Sequence, residues 1–280
     1  MTESRKTVEI PAPEFDLRLT VECGQIFHAM PLGSGWQVLM DRVPLHVEQQ
    51  GDRLRIFNGG EALARKYFSL DHPLNDIYKS FPTDAFSRAA LESCRGLRIV
   101  RQPYWECLAT FITSPMKQVA HIRQISLHLR ETFGTPVAGS LVNAYPDPSQ
   151  LARASERNLR DCRLGFRAKS LLATAQAVAF GGVDLAAIAN LSTTEARERL
   201  CSLPGVGRKV ANCVLLFAYE RLDAVPVDVW MARILQAMRR RKSTNLELEQ
   251  YSRRRFGAYA GYIQQYLFHH ARMTKTLPDP

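Results

Sequence analysis

Apolar residues change their spacing once along this chain. Over the first sixty residues they come in short runs punctuated by turn signals: Gly33-Ser34-Gly35 precedes Trp36-Gln37-Val38-Leu39-Met40, and Leu54-Arg55-Ile56-Phe57 runs into Asn58-Gly59-Gly60. Short runs rich in branched and aromatic residues and bounded by glycine predict strands of a small antiparallel sheet. From Glu61 onward the spacing turns helical, beginning with Ala62, Leu63, Tyr67 and Phe68. Further helices are predicted over Tyr104 to Ile112, Gln118 to Phe133, Ala168 to Phe180, Thr194 to Cys201, Lys209 to Ala218, Val229 to Arg240 and Tyr259 to Ala271. The segment Gly134 to Pro148, rich in glycine and proline, is expected to separate two helical lobes with a cleft between them. No repeat or low-complexity tract interrupts the pattern.

A chain of 280 residues with 46% hydrophobic and 23% charged residues has ample material for a dry core and a pocket. Lysine and arginine outnumber aspartate and glutamate 37 to 27, a formal net charge of +10. That excess favours a polyanionic partner, because cationic side chains release the counterions condensed on phosphates. The six cysteines (Cys23, Cys94, Cys107, Cys162, Cys201 and Cys213) are scattered without a C-x2-C pair, which argues against a zinc site or a disulfide framework. Met1 to Ile10 is polar and charged, unlike a secretory signal, and no apolar stretch is long enough to span a bilayer. The expectation is a monomer working inside the cell, in the cytoplasm or nucleoid if bacterial.

The chemistry concentrates around Leu203-Pro204-Gly205-Val206-Gly207-Arg208-Lys209 and Val225-Pro226-Val227-Asp228-Val229-Trp230. Thr193-Thr194-Glu195 offers a helix start, and Pro204 and Gly205 stop that helix; a second turn at Gly207 then opens the next one. A tight helix connection needs no ligand. Two glycines before a helix N-terminus nevertheless let backbone N–H groups of Gly205 and Gly207 reach a phosphate oxygen, where the helix dipole also favours an anion. Lys209 is an ordinary phosphate contact or, if its amine is neutral, a nucleophile toward C1′ of a damaged nucleotide. Asp228 precedes an amphipathic helix, so it reads as an N-cap; a carboxylate so fixed can also stabilise positive charge growing on a sugar.

With these motifs in view, the chain resembles the helix-hairpin-helix DNA glycosylase superfamily and, within it, the 8-oxoguanine DNA glycosylase branch. The likeness covers Cys23-Gly24-Gln25-Ile26-Phe27, Arg101-Gln102-Pro103-Tyr104-Trp105-Glu106-Cys107-Leu108, Leu164-Gly165-Phe166-Arg167-Ala168, the hairpin with Lys209 and Cys213, Pro226 to Asp228, and Gly257 to Phe268. It implies an α+β fold: an N-terminal antiparallel β-sheet domain with flanking helices over 1–100, then two mainly α-helical lobes over 101–280, with the helix-hairpin-helix at about 194–218. It also implies a bifunctional DNA N-glycosylase and AP lyase that flips 8-oxoguanine from duplex DNA and removes it through a lysine Schiff base. By that resemblance Lys209 is the Schiff-base lysine and Asp228 the catalytic aspartate. Cys213 lies against one face of the flipped base and Phe268 stacks on the other; Gln264 reads its edge. The Gly24 carbonyl accepts the hydrogen that 8-oxoguanine carries on N7 and guanine lacks, a difference of a few kcal/mol in a dry pocket. No cofactor is required, a structural cation at the hairpin is left open, and no iron–sulfur cluster is expected.

The chain also departs from the familiar animal and fungal enzymes. Where they carry an asparagine wedge, it reads Thr113-Ser114-Pro115-Met116; His121 replaces one of two arginines for the orphaned cytosine, Arg167 keeping the other; and Trp230 replaces a histidine after the aspartate motif. Met116, His121, Phe166 and Arg167 should handle the opposite base with relaxed specificity. Three other functions compete. An alkylated-purine glycosylase of the same superfamily would lack a lysine at the hairpin position, and an endonuclease III-like enzyme would carry cysteines after Cys213. A non-catalytic DNA-binding module would use the hairpin only as a phosphate clamp and has no need of both Lys209 and Asp228.

Overall fold

The computed structural model describes residues 7–278. Of the charged opening stretch Met1 to Ile10, residues 1–6 lie outside the described residues, while Val8–Pro11 already forms strand β1. With β2 (Met30–Leu32), β3 (Gly35–Met40), β4 (Val43–Gln50) and β5 (Arg53–Ile56) it builds an antiparallel sheet in the order β1-β5-β4-β3-β2. On β4 and β5 alternate side chains are buried, as a strand's two-residue period requires. Leu45 and Val47 of β4 and Leu54 and Ile56 of β5 pack with Val21 of helix α1 (Leu17–Glu22) and Tyr67 of α2 (Gly60–Tyr67). The β3–β4 connection is a two-residue turn, Asp41-Arg42, with φ of 47° and 66°. Both residues take the left-handed conformation of a mirror-image turn without the usual glycine or asparagine, so the turn before β4 carries no glycine signal in the sequence.

Two short helices, α3 (Leu74–Lys79) and α4 (Ala85–Ser93), lead into a second, larger core. There follow α5 (Tyr104–Thr113), α6 (Val119–Phe133), α7 (Pro148–Ala152), α8 (Glu156–Leu159), α9 (Arg167–Ala179), α10 (Thr193–Cys201), α11 (Arg208–Phe217), α12 (Val229–Arg239), α13 (Asn245–Phe256) and α14 (Ala260–Thr274). One set of contacts joins α5 to α9 and α11; another joins α14 to α4, α12 and α13. Between Ala260 and Ala271, α14 is buried on every side but for half-buried Phe268, as a helix central to its lobe must be. Its N–H at Gly261 donates to Leu222 O at 2.7 Å, which docks it on the segment leading to Asp228. None of the helices among the described residues is long and apolar enough to cross a membrane.

The segment expected to divide the two lobes does something else. The Gln37 side chain of β3 donates to Gly139 O at 2.9 Å and accepts from Leu141 N at 2.6 Å, and Trp105 Nε1 donates to Pro146 O at 2.8 Å. The segment therefore lies as a strap on the sheet, and helices before and after it (α5 and α9) share one lobe. Glycine and proline there mark a break in regular structure, not in packing. By their contacts the helices fall into two groups, α5–α11 and α4 with α12–α14, over one shared core. A buried ionic cluster fixes α5 to α6: His28 Nδ1 lies 3.0 Å from Glu106, and the fully buried Arg130 donates to the same carboxylate. Burial alone would push the Glu106 carboxyl up, but the Arg130 and His28 charges hold it below the usual range. That anchor secures the two helices on either side of the loop at Ser114–Gln118.

Candidate active site

α10 begins one residue earlier than the sequence suggested. Ser192, not the threonine pair, is the N-cap, and it forms a capping box with Glu195. The helix ends at Cys201, and the chain turns through Leu203–Gly207. Gly205 has φ +78°, and a Cβ there would sit 2.5 Å from Ser170 Cβ of α9, so both conformation and space demand glycine. Thr174 Oγ1, also on α9, donates to Pro204 O at 2.9 Å and anchors the turn. Gly207 differs. It is the N-cap of α11 with φ −88°, and a Cβ on it would meet nothing within 4 Å. Arg208 is held by two bonds, 2.7 and 3.1 Å, to Glu249 of α13, whose carboxylate is almost fully buried.

Lys209, in the first turn of α11, is half-buried. Its Nζ donates to Ser114 Oγ at 3.0 Å and lies 5.3 Å from the Phe111 ring centroid. Ser114 Oγ in turn donates to Phe111 O at 2.8 Å, so its lone pair is turned toward the amine. One turn along, Cys213 is 3% exposed; burial pushes its thiol pKa up, partly offset by the neighbouring Lys209 charge, and the group stays a neutral thiol. Asp228 caps α12 by accepting from Met231 N at 2.8 Å. Asn212, next to Cys213 on α11, is buried. Its Oδ1 accepts from Arg197 Nε of α10 at 2.8 Å, and its Nδ2 donates to Val225 O at 2.9 Å. The helix bearing Lys209 is thereby tied to the stretch that ends in Asp228. Sequence reading assigned no role to either Ser114 or Asn212. Ser114 entered only as a neighbour of Met116, and Asn212 gives no signal beyond its place on a helix.

Lys209, Cys213 and Asp228 line one cavity of ≈ 860 Å³ with Gly24, Gln264 and Phe268. Each of the base-pocket residues drawn from the sequence is therefore present at a single place. Gln264 is 4% exposed, yet its Oε1 has no hydrogen-bond partner among the described residues. Other buried polar side chains of α14 do have partners: Gln265 reaches Cys23 O and His270 reaches Ser93. A buried unpartnered oxygen costs roughly 1–3 kcal/mol unless something outside the chain satisfies it. Gly24 takes φ +89°, a left-handed conformation at the mouth of the segment after α1.

The residues expected at the opposite base are disposed differently. Met116 is 95% exposed with φ +60°, and Phe166 is 66% exposed beneath the Arg167 guanidinium, 4.7 Å from its ring centroid. Arg167 and Met116 line the cavity; His121 is exposed on the first turn of α6 and Phe166 projects just before α9, neither of them among the lining residues. Trp230 lines the cavity beside Asp228, with the Arg233 guanidinium 5.9 Å from its ring centroid.

Residues 7–108 match the family of 8-oxoguanine DNA glycosylase N-terminal domains, and residues 111–257 match the HhH-GPD superfamily of base excision DNA repair proteins. A probable N-glycosylase/DNA lyase of Methanothermobacter thermautotrophicus is 28% identical, covering 96% of this chain and 97% of that protein. The N-glycosylase/DNA lyase of Saccharomyces cerevisiae is 32% identical over 72% of this chain and 64% of its own length. Among solved structures, MBOgg1 in complex with a low-affinity DNA ligand superposes with a TM-score of 0.92 at 31% identity, covering 98% of each chain. The Clostridium acetobutylicum 8-oxoguanine glycosylase/lyase, bound to duplex DNA with cytosine opposite 8-oxoguanine, gives 0.91 at 27% identity and the same coverage. The chain belongs to the HhH-GPD superfamily of base excision DNA repair proteins, in its 8-oxoguanine DNA glycosylase branch.

Proposed function

We propose that the protein excises 8-oxoguanine from duplex DNA and nicks the resulting abasic strand, with Lys209 as the nucleophile. The observation that carries this reading is the pairing of Lys209 Nζ with Ser114 Oγ on the wall of a cavity that also holds Asp228 and the unpartnered Gln264 Oε1. In the proposed reaction the neutral Lys209 amine attacks C1′ and the C1′–N9 bond breaks. The base departs with the bonding electrons and takes up a proton. Opening of the sugar ring leaves a Schiff base between Nζ and C1′. Loss of a C2′ proton then expels the 3′ phosphate by β-elimination, and water releases the lysine.

Asp228 would stabilise the positive charge that develops on the sugar while remaining fixed as the α12 cap. Cys213 and Phe268 would sandwich the flipped base, and Gln264 would meet its Watson–Crick edge. The neutral Cys213 thiol suits a face-to-base contact, since a thiolate there would favour the ammonium form of the lysine over the free amine that must attack. Gly205 and Gly207 would admit a phosphate at the N-terminus of α11. The bare Cα of Gly207 fits this role: the fold itself makes no use of the space beside it. Met116, Phe166 and Arg167 would fill and border the gap left by the flipped nucleotide, with His121 farther along the rim.

Borohydride reduction during reaction with an 8-oxoguanine duplex tests the proposal. A covalent protein–DNA complex is expected from the natural protein and none from Lys209→Gln. Free base release without trappable complex would mean that water, not lysine, attacks.

A further inference from the structure

We propose that Arg272 acts as a positioning residue for base recognition: it braces the Gly24 segment and the Phe268 ring together, and so sets how well the site engages the oxidised base. The proposal rests on the functional reading above and goes beyond it to a residue outside the cavity lining.

Residues 264, 268 and 272 recur every four positions on α14 and so share one face. At the far end of that row, Arg272 Nη2 donates to Glu22 O at 2.7 Å. One residue further along the other chain segment, Gln265 Nε2 donates to Cys23 O at 3.2 Å. The two carbonyls immediately before Gly24 are thus both held by α14. A Cβ built on Gly24 would lie 3.1 Å from Arg272 Nη1, so the guanidinium packs directly against the Gly24 backbone. The same guanidinium lies 5.8 Å from the Phe268 ring centroid. His269 Nδ1 lies 3.1 Å from Arg272 Nη2. Among the described residues no carboxylate pairs with Arg272; the nearby Glu22 side chain pairs with Arg18 instead. The charge is therefore directed at backbone and ring rather than consumed in an ion pair.

This arrangement matters because discrimination by one carbonyl depends on angle. A hydrogen bond weakens steeply as it bends, and the repulsion between the same carbonyl and the bare N7 of guanine relaxes when the carbonyl tilts away. Loosening the Gly24 segment should cost both halves of the contrast. It should not impair attack on an abasic sugar, which presents no base to read.

The experiment compares Arg272→Leu and Arg272→Lys with the natural protein in single-turnover cleavage of two duplexes, one holding 8-oxoguanine and one a preformed abasic site, together with thermal unfolding. For Arg272→Leu, 8-oxoguanine excision should fall by about tenfold to a hundredfold, the loss of one charge-assisted hydrogen bond, while abasic-strand cleavage stays within about threefold. Arg272→Lys keeps one donor for Glu22 O but not the flat stacking surface, and should fall between the two. An equal fall on both duplexes would reduce Arg272 to a fold-stabilising residue, and unchanged excision would remove it from recognition; either overturns the brace. If Arg272→Leu fails to fold, Arg272→Lys alone decides between these outcomes. Absence of cleavage of both duplexes by the natural protein would overturn the functional reading and the brace with it.

Discussion

Cys213 and Gln264, 3% and 4% exposed, sit on helices packed all round. Met116 and Phe166, at 95% and 66%, project from bends of positive φ at Met116 and Gly165. Both pairs are apolar or uncharged, and Gln264, Cys213 and Met116 line the same cavity. The difference lies in what finishes each surface. Around the lysine the wall is held by bonds already made, Ser114 to Phe111 O, Asn212 to Val225 O, Asp228 to Met231 N and Arg208 to Glu249, while Gln264 Oε1 has no partner among the described residues. On the rim the exposed side chains have little to pack on except one another, as Arg167 does on Phe166. A wall meant to do chemistry must be rigid before the substrate arrives, since positioning gained beforehand is not repaid at the transition state. A rim meant to enter a gap in a duplex can wait for the DNA to bury it.

The contrast is broken most severely at the lysine. Lys209→Gln keeps a polar side chain in the first turn of α11 and leaves the aromatic group of Phe27, Phe111 and Phe217 behind it intact. Excision and borohydride trapping should fall by roughly four orders of magnitude or more, with duplex binding retained in a gel-shift assay. Trapping at the natural level would move the nucleophile elsewhere. Next comes Asp228→Asn. Asparagine caps a helix as well as aspartate, so the melting temperature should hold while base release slows by about a hundredfold or more. The pairing of those two measurements matters: a parallel loss of stability and rate would make Asp228 a cap and nothing else.

Phe268→Ala tests the wall at a residue that is only half-buried. Removing one stacking face should weaken productive insertion of the base by about 1–3 kcal/mol, visible as slower single-turnover excision and unchanged cleavage of an abasic duplex. Equal losses on both substrates would show that Phe268 supports α14 rather than the base.

Much of the wall was legible because its spacing is helical. Lys209 and Cys213, like Gln264 and Phe268, are four apart, and a helix brings such pairs to one face whatever the tertiary context. Gly205 was legible for a different reason, since a turn between two helices leaves few residues that tolerate φ +78°. The brace and the anchors were not. Arg272 reaches Glu22 across most of the chain, and Asn212 meets Val225 across the irregular segment that follows α11. In the sheet, β4 escaped notice because Asp41-Arg42 makes its turn without glycine, and α4 and α13 because their polar faces dilute the periodicity. The Gly134 to Pro148 segment misled in the opposite direction. Its composition describes irregular backbone faithfully, but Gln37 and Trp105 bind that backbone to the body of the protein.

The smallest expected effect sharpens the comparison from the rim. Selecting a partner base needs donors and acceptors held at fixed angles, and an orphaned cytosine offers acceptors that a fork of two arginines would read well. Here the fork is reduced to Arg167, which is committed in part to the Phe166 ring, while His121 stands exposed on α6 away from the cavity lining. Met116 can fill a gap with its flexible thioether but has almost no hydrogen-bonding capacity with which to choose. Its positive φ holds it outward, where it would serve as a plug presented from the loop whatever base lies opposite. Single-turnover excision of 8-oxoguanine should therefore proceed at comparable rates opposite cytosine, guanine, thymine and adenine, and Met116→Ala should slow all four by a similar, modest factor. One bidentate contact supplies roughly 1–3 kcal/mol of discrimination, so Arg167 alone limits any preference for cytosine to about a hundredfold. A preference beyond that limit, or a Met116→Ala loss confined to one partner base, would mean that the rim orders itself on DNA into a reading surface as specific as the wall.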